Sequence, residues 1–558
     1  MSLPNRLALP FALAALAVLA GCGSSTNTPT APPSGGFSDT NFSGTYTFSV
    51  EGEDGNGIFA MAGTLVACGC TQGTISSGTV DLVDPTGVAA QSTIGSNSTY
   101  SVSADGRGLA KLMITTSGGS EQINLDFVLT SSSHGLVSRY DSAGTGSGTI
   151  DLQPSVISQA SVASTPYAFS VSGGDFIDTP LASVGSFTLD ASGNITTAIE
   201  DFNYGGTPTT ALPLTGSVTV GSGTTPGVAS LLTAFDSNPL TFDVYTIDAT
   251  HLKVIEVDGQ AIMVGDVFTA SSAGVPQGNL AFSMSGLDTS GALFATGGLM
   301  ASDGASQITS GSEDINDDGV VDAGTNPATP FTFGGTFIAD PSGSGRYQFT
   351  LSGYQGGTNF AAYPSSAGLL MMEVDPAGSL DVGIDNAGVT SGMAVLQQSG
   401  AGVTASAGYG LNSTGESTGV NSGSITELDE IAEFKTTSSS ISGLIDVNDF
   451  TVSLNTSNLT GSYTAGSNGT GTATFSSGGM QEIFYYSIDG STSLFINADP
   501  SGDQATLGSF EIQTTPTSNA ASPVQHPHVL PSAHTVAHGK SALRKGGHHL
   551  VVYPKKAK

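Results

Sequence analysis

One apolar segment that ends in Asp recurs along the chain, and this long-period repetition constrains the fold more than any other feature. The segment occupies residues 136–141, 252–258, 369–375 and 494–499. Its terminal residues, spaced by 117, 117 and 124 positions, are Asp141, Asp258, Asp375 and Asp499. A Gly and a final apolar stretch follow each of them. Self-similarity at a fixed long period is typical of a chain that is built from copies of one structural unit.

The length of 558 residues fits several units, because a single hydrophobic core rarely grows beyond roughly 250–300 residues. The repeats predict units at 41–154, 164–270, 278–398 and 408–513. A unit of about 105–125 residues buries enough surface to fold without a metal ion or a disulfide. We therefore expect that no cofactor is required. The short joints between the units predict beads on a string.

Within each unit, short stretches of alternating apolar and polar residues are separated by Gly, Asn and Asp. This period-two pattern indicates half-buried strands joined by tight turns. In the first unit it predicts eight strands, with none between Val83 and Ser98. No segment after residue 22 keeps a helical period for three turns. The predicted fold class is all-β, with four tandem antiparallel β units.

Each unit is predicted to be an up-and-down meander barrel of about eight strands, since closing the sheet removes its exposed edges. The alternative is an immunoglobulin-like β-sandwich. The absence of Trp and of two Cys at sandwich spacing argues against it.

Charge is distributed unevenly, which limits the possible partners. The net charge is −33, and all 46 acidic residues lie between Cys22 and Gln513. The cations in that region are Arg107, Lys111, Arg139, Lys253, Arg346 and Lys435. The region from Cys22 to Gln513 is so acidic that it repels phosphate backbones and anionic membrane surfaces. We therefore expect no nucleic-acid partner and a soluble, monomeric body.

Residues 1–21 have the pattern of a signal peptide, with Arg6 before an apolar run that is too short to span a bilayer. The run ends in Leu19-Ala20-Gly21-Cys22, which resembles the lipobox of bacterial lipoprotein signal peptides. The resemblance implies cleavage before Cys22, a diacylglycerol on its thiol and a further acyl chain, such as palmitate, on its amino group. Several acyl chains give stable membrane anchoring. The alternative is an ordinary signal peptide with a chance Cys.

Gly23 follows the Cys. An Asp at this position would resemble an inner-membrane retention signal, so the expected location of the protein is the outer membrane. The sequence does not decide between the periplasmic and the surface face of that membrane. Residues 22–40 are rich in Ser, Thr, Pro and Gly and predict a flexible tether. The repeat body loosely resembles uncharacterised repeat units of bacterial surface lipoproteins, a likeness that brings no functional motif.

Residues 314–322 carry oxygen ligands at alternating positions, namely Asp314, Asn316, Asp318 and Asp322. With Gly319 at the sixth position, the segment resembles the first part of EF-hand and dockerin-type calcium loops. Position 12 is Thr325 instead of a bidentate Glu, and no helix is predicted on either side. The segment therefore predicts either a calcium site or an acidic hairpin turn.

Two further groups carry metal or redox chemistry. Cys68 and Cys70 predict a loop disulfide or a reactive thiol pair, with an inert turn as the alternative. The tail, residues 514–558, is expected to be disordered and holds six cations and the histidines His526, His528, His534, His538, His548 and His549. Such a tail predicts binding of zinc, nickel or copper, or of anionic envelope polymers, or only nonspecific contact with the acidic body.

Nucleophilic catalysis in the body would have to use His134 or His251, because no other His lies there. A shared site would require closely docked repeats, so solvated strand ends are expected instead. Glu256 and Asp258 lie on one face of a strand, but Arg139 and Asn497 replace the Glu in other repeats, which argues against a common catalytic role.

The sequence therefore favours a non-enzymatic, lipid-anchored envelope protein whose β repeats form a stalk or an interaction module for a protein or a glycan. The alternative is a secreted hydrolase that acts on polysaccharide through paired carboxylates. A polar cluster in a concave site of one unit would separate the two hypotheses.

Overall fold

The computed structural model describes residues 36–116, 118–177, 179–233, 238–287, 292–322, 329–375, 388–418, 425–466, 468–477 and 479–514. The signal peptide, Cys22, the tether up to residue 35 and the tail from residue 515, with its six histidines, lie outside them. Within the described ranges, no helix is long and apolar enough to cross a membrane.

Barrel 1 follows a 3-10 turn at Asp39–Asn41. Its strands are β1 Ser43–Asp54, β2 Gly57–Cys68, β3 Ile75–Asp84, β4 Gly87–Ile94, β5 Thr99–Val102, β6 Arg107–Thr116, β7 Gly119–Leu129, β8 His134–Asp141 and β9 Gly144–Leu152. The sheet order β4-β3-β2-β1-β9-β8-β7-β6-β5 is a meander in which the first and last strands pair. A short pairing of β4 with β6 closes it.

The sequence pattern missed β4, the strand that closes barrel 1. Its residues are mostly half-buried or exposed, so no apolar alternation marks them. Pairing with β3 defines this strand instead.

Barrel 2 begins after the short helix α1, Gln159–Val162. Its strands are β10 Pro166–Gly174, β11 Pro180–Leu189, β12 Ile195–Tyr204, β13 Thr207–Leu212, β14 Thr215–Val218, β15 Gly227–Leu232, β16 Leu240–Thr246, β17 His251–Glu256 and β18 Ile262–Thr269. Here too the first and last strands pair, β10 with β18. Its two edge strands, β13 and β14, form no ladder with each other in the described part of the chain.

Barrel 3 repeats the meander, and a pairing of β20 with β21 closes it. Its strands are β19 Gln277–Leu287, β20 Leu293–Asp303, β21 Gln307–Asp317, β22 Val320–Val321, β23 Phe331–Ala339, β24 Tyr347–Ser352, β25 Asn359–Pro364, β26 Leu369–Glu373 and β27 Val389–Leu396.

Barrel 4 is a closed barrel of consecutive antiparallel strands. They are β28 Gly408–Ser417, β29 Thr426–Thr436, β30 Ser440–Asp449, β31 Ser453–Ala465, β32 Thr470–Ser477, β33 Glu482–Ser487, β34 Thr492–Asn497 and β35 Gln504–Ile512. The all-β prediction of tandem meander barrels is confirmed. The immunoglobulin-like alternative is wrong, because each sheet curls round to pair its own first and last strands.

Alternation along β1 shows how the barrels acquire their cores. Tyr46, Phe48 and Val50 lie inside barrel 1, where burial of each side chain contributes about 1.5–3 kcal/mol. Thr47 and Ser49, which alternate with them, are also buried. The outer face of this strand is therefore covered too, and neighbouring barrels cover it.

The four barrels pack in a closed ring, in which barrel 4 returns to contact barrel 1. Tyr hydroxyls from the following barrel donate to Asp side chains at 2.6 Å in three joints: Tyr245 to Asp81, Tyr363 to Asp201 and Tyr486 to Asp314. In the fourth joint, Asp446 lies 3.8 Å from Arg107 of barrel 1. The prediction of beads on a string is therefore wrong, because polar groups on the outer strand faces are satisfied across barrels.

A second contact recurs two residues after three of these four Asp positions. Asn203, Asn316 and Asn448 donate through their amide groups to backbone carbonyls of the next barrel. Position 83 carries Val in barrel 1, and the joint between barrels 1 and 2 is correspondingly apolar at this point. The ring is thus built from one joint design with local replacements.

The recurring Asp of the repeat is structural. Asp141, Asp258 and Asp375 each accept a hydrogen bond from the backbone amide 17 residues earlier in the chain, at 3.2, 2.7 and 2.5 Å. Asp499 of barrel 4 instead accepts from Ser501. The segment 252–266 forms the hairpin of β17 and β18, as its closing position in the repeat predicts.

Candidate functional site

A cavity of about 660 Å³ opens where the four barrels meet, and we call it the hub cavity. Each barrel contributes part of the wall. Residues 132–134 and Asp151 belong to barrel 1, and His251 belongs to barrel 2. Residues 364–369 belong to barrel 3, and Ile488 belongs to barrel 4. The volume lies within the range of roughly 300–1,000 Å³ that is usual for small-molecule sites. Ring closure creates this cavity, since no single barrel encloses it.

His134 lies between two carboxylates at the cavity wall. Its Nδ1 atom lies 2.7 Å from Asp151 Oδ1, and its Nε2 atom lies 3.2 Å from Glu511 Oε2 of barrel 4. Burial lowers the pKa of His134, but the charges of Glu511 and Asp151 outweigh that effect and raise the pKa to about 10. The ring is therefore an imidazolium at neutral pH.

A second buried ion cluster lies beside the first. Asp266 Oδ1 lies 2.6 Å from His251 Nε2 and 3.1 Å from Lys253 Nζ. Burial alone would raise the pKa of Asp266, but the charge of Lys253 and the hydrogen bond of His251 lower it to about 2. The imidazole of His251 also stacks on Phe268, with ring centroids 4.4 Å apart.

Thr149 joins the two clusters. Its hydroxyl accepts a hydrogen bond from Lys253 Nζ at 2.8 Å and donates to Asp151 Oδ2 at 3.3 Å. The result is one network across three barrels, the hub network, which consists of Glu511, His134, Asp151, Thr149, Lys253, Asp266 and His251. Each of its charged groups has a counter-charge within the network, which offsets much of the desolvation cost of burial.

The expectation that His134 and His251 lie at solvated strand ends is wrong. Their side chains are 6% and 5% exposed, and both line the hub cavity. A general base must be able to accept a proton. His134 is protonated and lies between two carboxylates, so it does not activate a nucleophile. The network is suited to holding three barrels together and to forming a charged cavity wall.

One close pair of carboxylates, of the kind that the hydrolase alternative requires, lies in a joint. Tyr245 donates to Asp81, while Gln91 donates to the neighbouring Asp243 at 3.0 Å. Burial raises the pKa of Asp81 to about 7, and the nearby Asp243 adds to that effect. Both side chains are buried between barrels 1 and 2. A polysaccharide chain would have to separate the barrels in order to reach them.

The residues of the predicted calcium loop lie in the joint between barrels 3 and 4. Asp314 accepts from Tyr486, and Asn316 donates to the carbonyls of Asn497 and Gln504. Asp318 lies in the β21–β22 turn at φ +48°, and Asp322 Oδ1 accepts from the Ile315 amide at 3.0 Å. Thr325 lies outside the described residues.

Among all the residues that the structure describes, no group of three or more His, Cys, Asp or Glu has an arrangement that would hold a metal ion. Calcium at Asp314, Asn316, Asp318 and Asp322 stays a prediction.

Cys68 and Cys70 lie at the end of β2 and in the turn that follows, with their Sγ atoms 1.95 Å apart. The Cys70 amide donates to Cys68 Sγ at 3.1 Å. Both residues lie outside the hub cavity. Their oxidation state in the isolated protein stays a prediction that mass spectrometry can test.

Two features of the sequence mark residues of the hub network without predicting the cavity. His134 and His251 both stand seven residues before the recurring Asp, so they occupy equivalent positions in adjacent repeats. Lys253 interrupts an otherwise apolar strand segment. Glu511 and Thr149 carry no comparable signal, because their partners belong to other barrels.

Comparisons with known proteins do not place the chain in a family. No protein-family model matches it, and no curated protein matches it at a significant level. Solved structures that match include isotype 1 transferrin binding protein B from serogroup B Neisseria meningitidis, at 11% identity over 68% of this chain and 83% of that chain, with a TM-score of 0.17.

A mutant transferrin binding protein B from Haemophilus parasuis Hp5 matches at 8% identity over 73% of this chain and 86% of that chain, with a TM-score of 0.18. Both TM-scores are too low to carry a structural or functional argument.

Proposed function

We propose that this protein is a non-enzymatic, lipid-anchored component of the bacterial cell envelope that binds a protein segment or a glycan in the hub cavity. The observation that carries the proposal is the cavity itself, about 660 Å³ in volume and enclosed jointly by four barrels. Because the barrels form a closed ring, the body is better suited to an interaction module than to an extended stalk.

The chemistry of the cavity wall supports binding over turnover. The acidic and basic groups of the hub network neutralise one another, so they supply a fixed electrostatic pattern. Hydroxyl groups such as those of Ser133 and Thr250 and apolar side chains such as Leu369 and Ile488 complete the wall. The wall therefore combines apolar surface with many polar groups, and polar groups of this kind fix the orientation of a ligand.

A thermal-shift screen of the mature protein against envelope glycans and peptides tests this proposal. We expect at least one ligand to raise the melting temperature. Ser366→Trp should abolish that shift, because this exposed serine lines the cavity and an indole would fill part of it. Ser192→Trp is the matched control, since Ser192 is an exposed turn serine outside the cavity.

Two outcomes would contradict the proposal. A ligand shift that Ser366→Trp leaves unchanged would place binding elsewhere. Release of reducing sugars from a polysaccharide by the purified protein would favour the hydrolase alternative.

The membrane anchor is proposed on the lipobox resemblance alone. An alkyne fatty acid supplied to producing cells should label the wild-type protein and not Cys22→Ala. Label retained in that variant would show that the acyl chain is attached elsewhere. The proposed outer-membrane location is tested by membrane fractionation of the same cells.

A further inference from the structure

The described part of the chain ends at the edge of the hub cavity. After β35, the Ile512 amide donates to the Ser491 carbonyl at 2.8 Å, in the turn that follows β33. The Thr514 amide then donates to the Thr130 carbonyl at 2.7 Å, in the turn that follows β7. Both turns form part of the cavity wall. The tail, residues 515–558, therefore leaves the body between two walls of the hub.

Two carboxylates of the hub wall each have an oxygen that the fold does not use. Asp248 and Asp489 stand ten residues before the recurring Asp of barrels 2 and 4, so they occupy equivalent turns. Oδ1 of Asp248 accepts from the Thr250 amide at 2.7 Å, and Oδ1 of Asp489 accepts from the Thr492 amide at 2.8 Å. Among the described residues, no donor bonds either Oδ2 atom, and both side chains are half-buried. These two oxygens are available to a cationic group in the cavity.

The wall beside these carboxylates is apolar. Leu369, Val395 and Leu396 of barrel 3 and Ile488 of barrel 4 line it. A ligand that is complementary to both parts of the wall combines apolar side chains with ammonium groups, because ammonium groups form strong hydrogen bonds to carboxylates.

Residues 548–558 of this chain have that composition. Their sequence is His-His-Leu-Val-Val-Tyr-Pro-Lys-Lys-Ala-Lys, in which four apolar residues are flanked by two His and three Lys. No Asp or Glu occurs in residues 515–558, whereas all 46 acidic residues lie between Cys22 and Gln513. The tail and the wall are therefore complementary in charge and in apolar character.

The tail is also long enough to return to the cavity. Between Thr514 and the first residue of the segment the chain advances by 548 − 514 = 34 residues. At 3.3–3.6 Å per residue, that length spans up to roughly 115 Å. Attachment to the same molecule gives such a segment an effective concentration on the order of millimolar, so a weak intrinsic affinity is enough for occupancy.

We propose that residues 548–558 occupy the hub cavity of their own molecule, with lysine ammonium groups on Asp248 and Asp489 and the apolar residues against the barrel 3 wall. The inference rests on the proposed function, because it takes the hub as a site for a protein segment. It adds a regulation of that site. An external ligand has to displace the tail, so the tail lowers the apparent affinity for that ligand.

Zero-length carbodiimide cross-linking of the full-length mature protein, followed by mass spectrometry, tests the proposal. The reagent joins a lysine amine to a carboxylate only where the two are in direct contact. We expect cross-links from the lysines of residues 548–558 to Asp248 and Asp489. Ser366→Trp, which fills part of the cavity, should lose most of them, whereas the control Ser192→Trp should keep them.

A fluorescently labelled synthetic peptide of residues 548–558 gives a second readout. The full-length variant with Lys555→Glu, Lys556→Glu and Lys558→Glu should leave its hub vacant, because the reversed charges are repelled by the carboxylates of the wall. By fluorescence anisotropy, we expect the peptide to bind this variant and to bind the wild type at least several-fold more weakly, since the wild-type tail competes. Adding Ser366→Trp to the variant should abolish peptide binding. Circular dichroism shows that each variant has folded.

Four results would overturn the inference. The first is the absence of cross-links between the tail and the hub, and the second is equal cross-linking to Glu121, an exposed residue outside the cavity, which would indicate nonspecific contact. The third is cross-links only between isotopically labelled and unlabelled copies, which would make the tail of a second copy the occupant. The fourth is equal peptide binding by the wild type and the charge-reversed variant.

The thermal-shift screen separates these results from failure of the proposed function. An envelope ligand that raises the melting temperature of a protein without tail-to-hub cross-links would support the proposed function and overturn this inference. Cross-links to the hub without any external ligand in the screen would support the inference and contradict the proposed function.

Discussion

The buried carboxylates predict that this protein is more stable in mild acid, and Glu433 allows a sharp test. Glu433 lies in the joint between barrels 4 and 1, completely buried and without a hydrogen-bond partner. Burial, and next the charge of Asp105, raise its pKa to about 9, although Arg107 acts in the opposite direction. In the unfolded chain the carboxyl titrates at its ordinary pKa of 4.5.

The sign of the pH effect follows from proton counting. Between pH 4.5 and about 9, the native state holds a proton on Glu433 that the unfolded state has lost. Stability therefore falls as pH rises through this window and is fully recovered below it. At 1.36 kcal/mol per pH unit, the contribution of this one group at pH 7 is a loss of about 3 kcal/mol.

Glu433→Gln replaces the carboxyl with a neutral group of the same shape. We expect the variant to be more stable than the wild type at pH 7, by up to about 3 kcal/mol or roughly 3 °C in melting temperature, and equally stable at pH 4. Calorimetry at several pH values measures this. Glu121→Gln, at an exposed position on β7, is the control and should show no such pH-dependent gain.

A Glu433→Gln variant that is less stable than the wild type at pH 7 would refute the reasoning. It would mean that Glu433 is ionised in the native state and that its attraction to Arg107 outweighs burial. A difference of the same size at pH 4 and pH 7 would also refute it, because ionisation could not be the cause.

The remaining predictions concern a joint, the hub and the cysteines. Asn448→Val removes hydrogen bonds to three carbonyls of barrel 1, so we expect a loss of about 2–4 kcal/mol and faster amide exchange in β8 and β9. Unchanged exchange there would show that the joint does not depend on Asn448. Lys253→Met leaves Asp266 without its ammonium partner in a buried site and should lower stability by about 3–5 kcal/mol in chemical denaturation at pH 7. A neutral result would mean that His251 alone compensates Asp266. Alkylation without prior reduction should leave Cys68 and Cys70 unmodified, at a mass two hydrogens below that of the dithiol. Alkylation of both would rule out the disulfide.

Local patterns account for the parts of the fold that were predicted. Alternation such as Tyr46, Phe48 and Val50 identifies strands, and the recurring Asp marks the same turn in each unit. The strand β4 was missed because its side chains are largely outside the core, so its sequence carries no alternation.

The candidate sites were less predictable than the fold. His134 and His251 were recognised as the only body histidines, but their common cavity depends on how barrels 1 and 2 dock.

By itself, the sequence determined the number of repeats, the all-β class and the meander, because neighbours in sequence carry that information. Tertiary structure alone decided the ring and the hub cavity. Thr145 donates a hydrogen bond to Asp429 across 284 residues, and no pattern at either position specifies the other. Polar residues on the outer face of a strand look alike whether water or another barrel covers them, so only the assembled ring shows which of them meet.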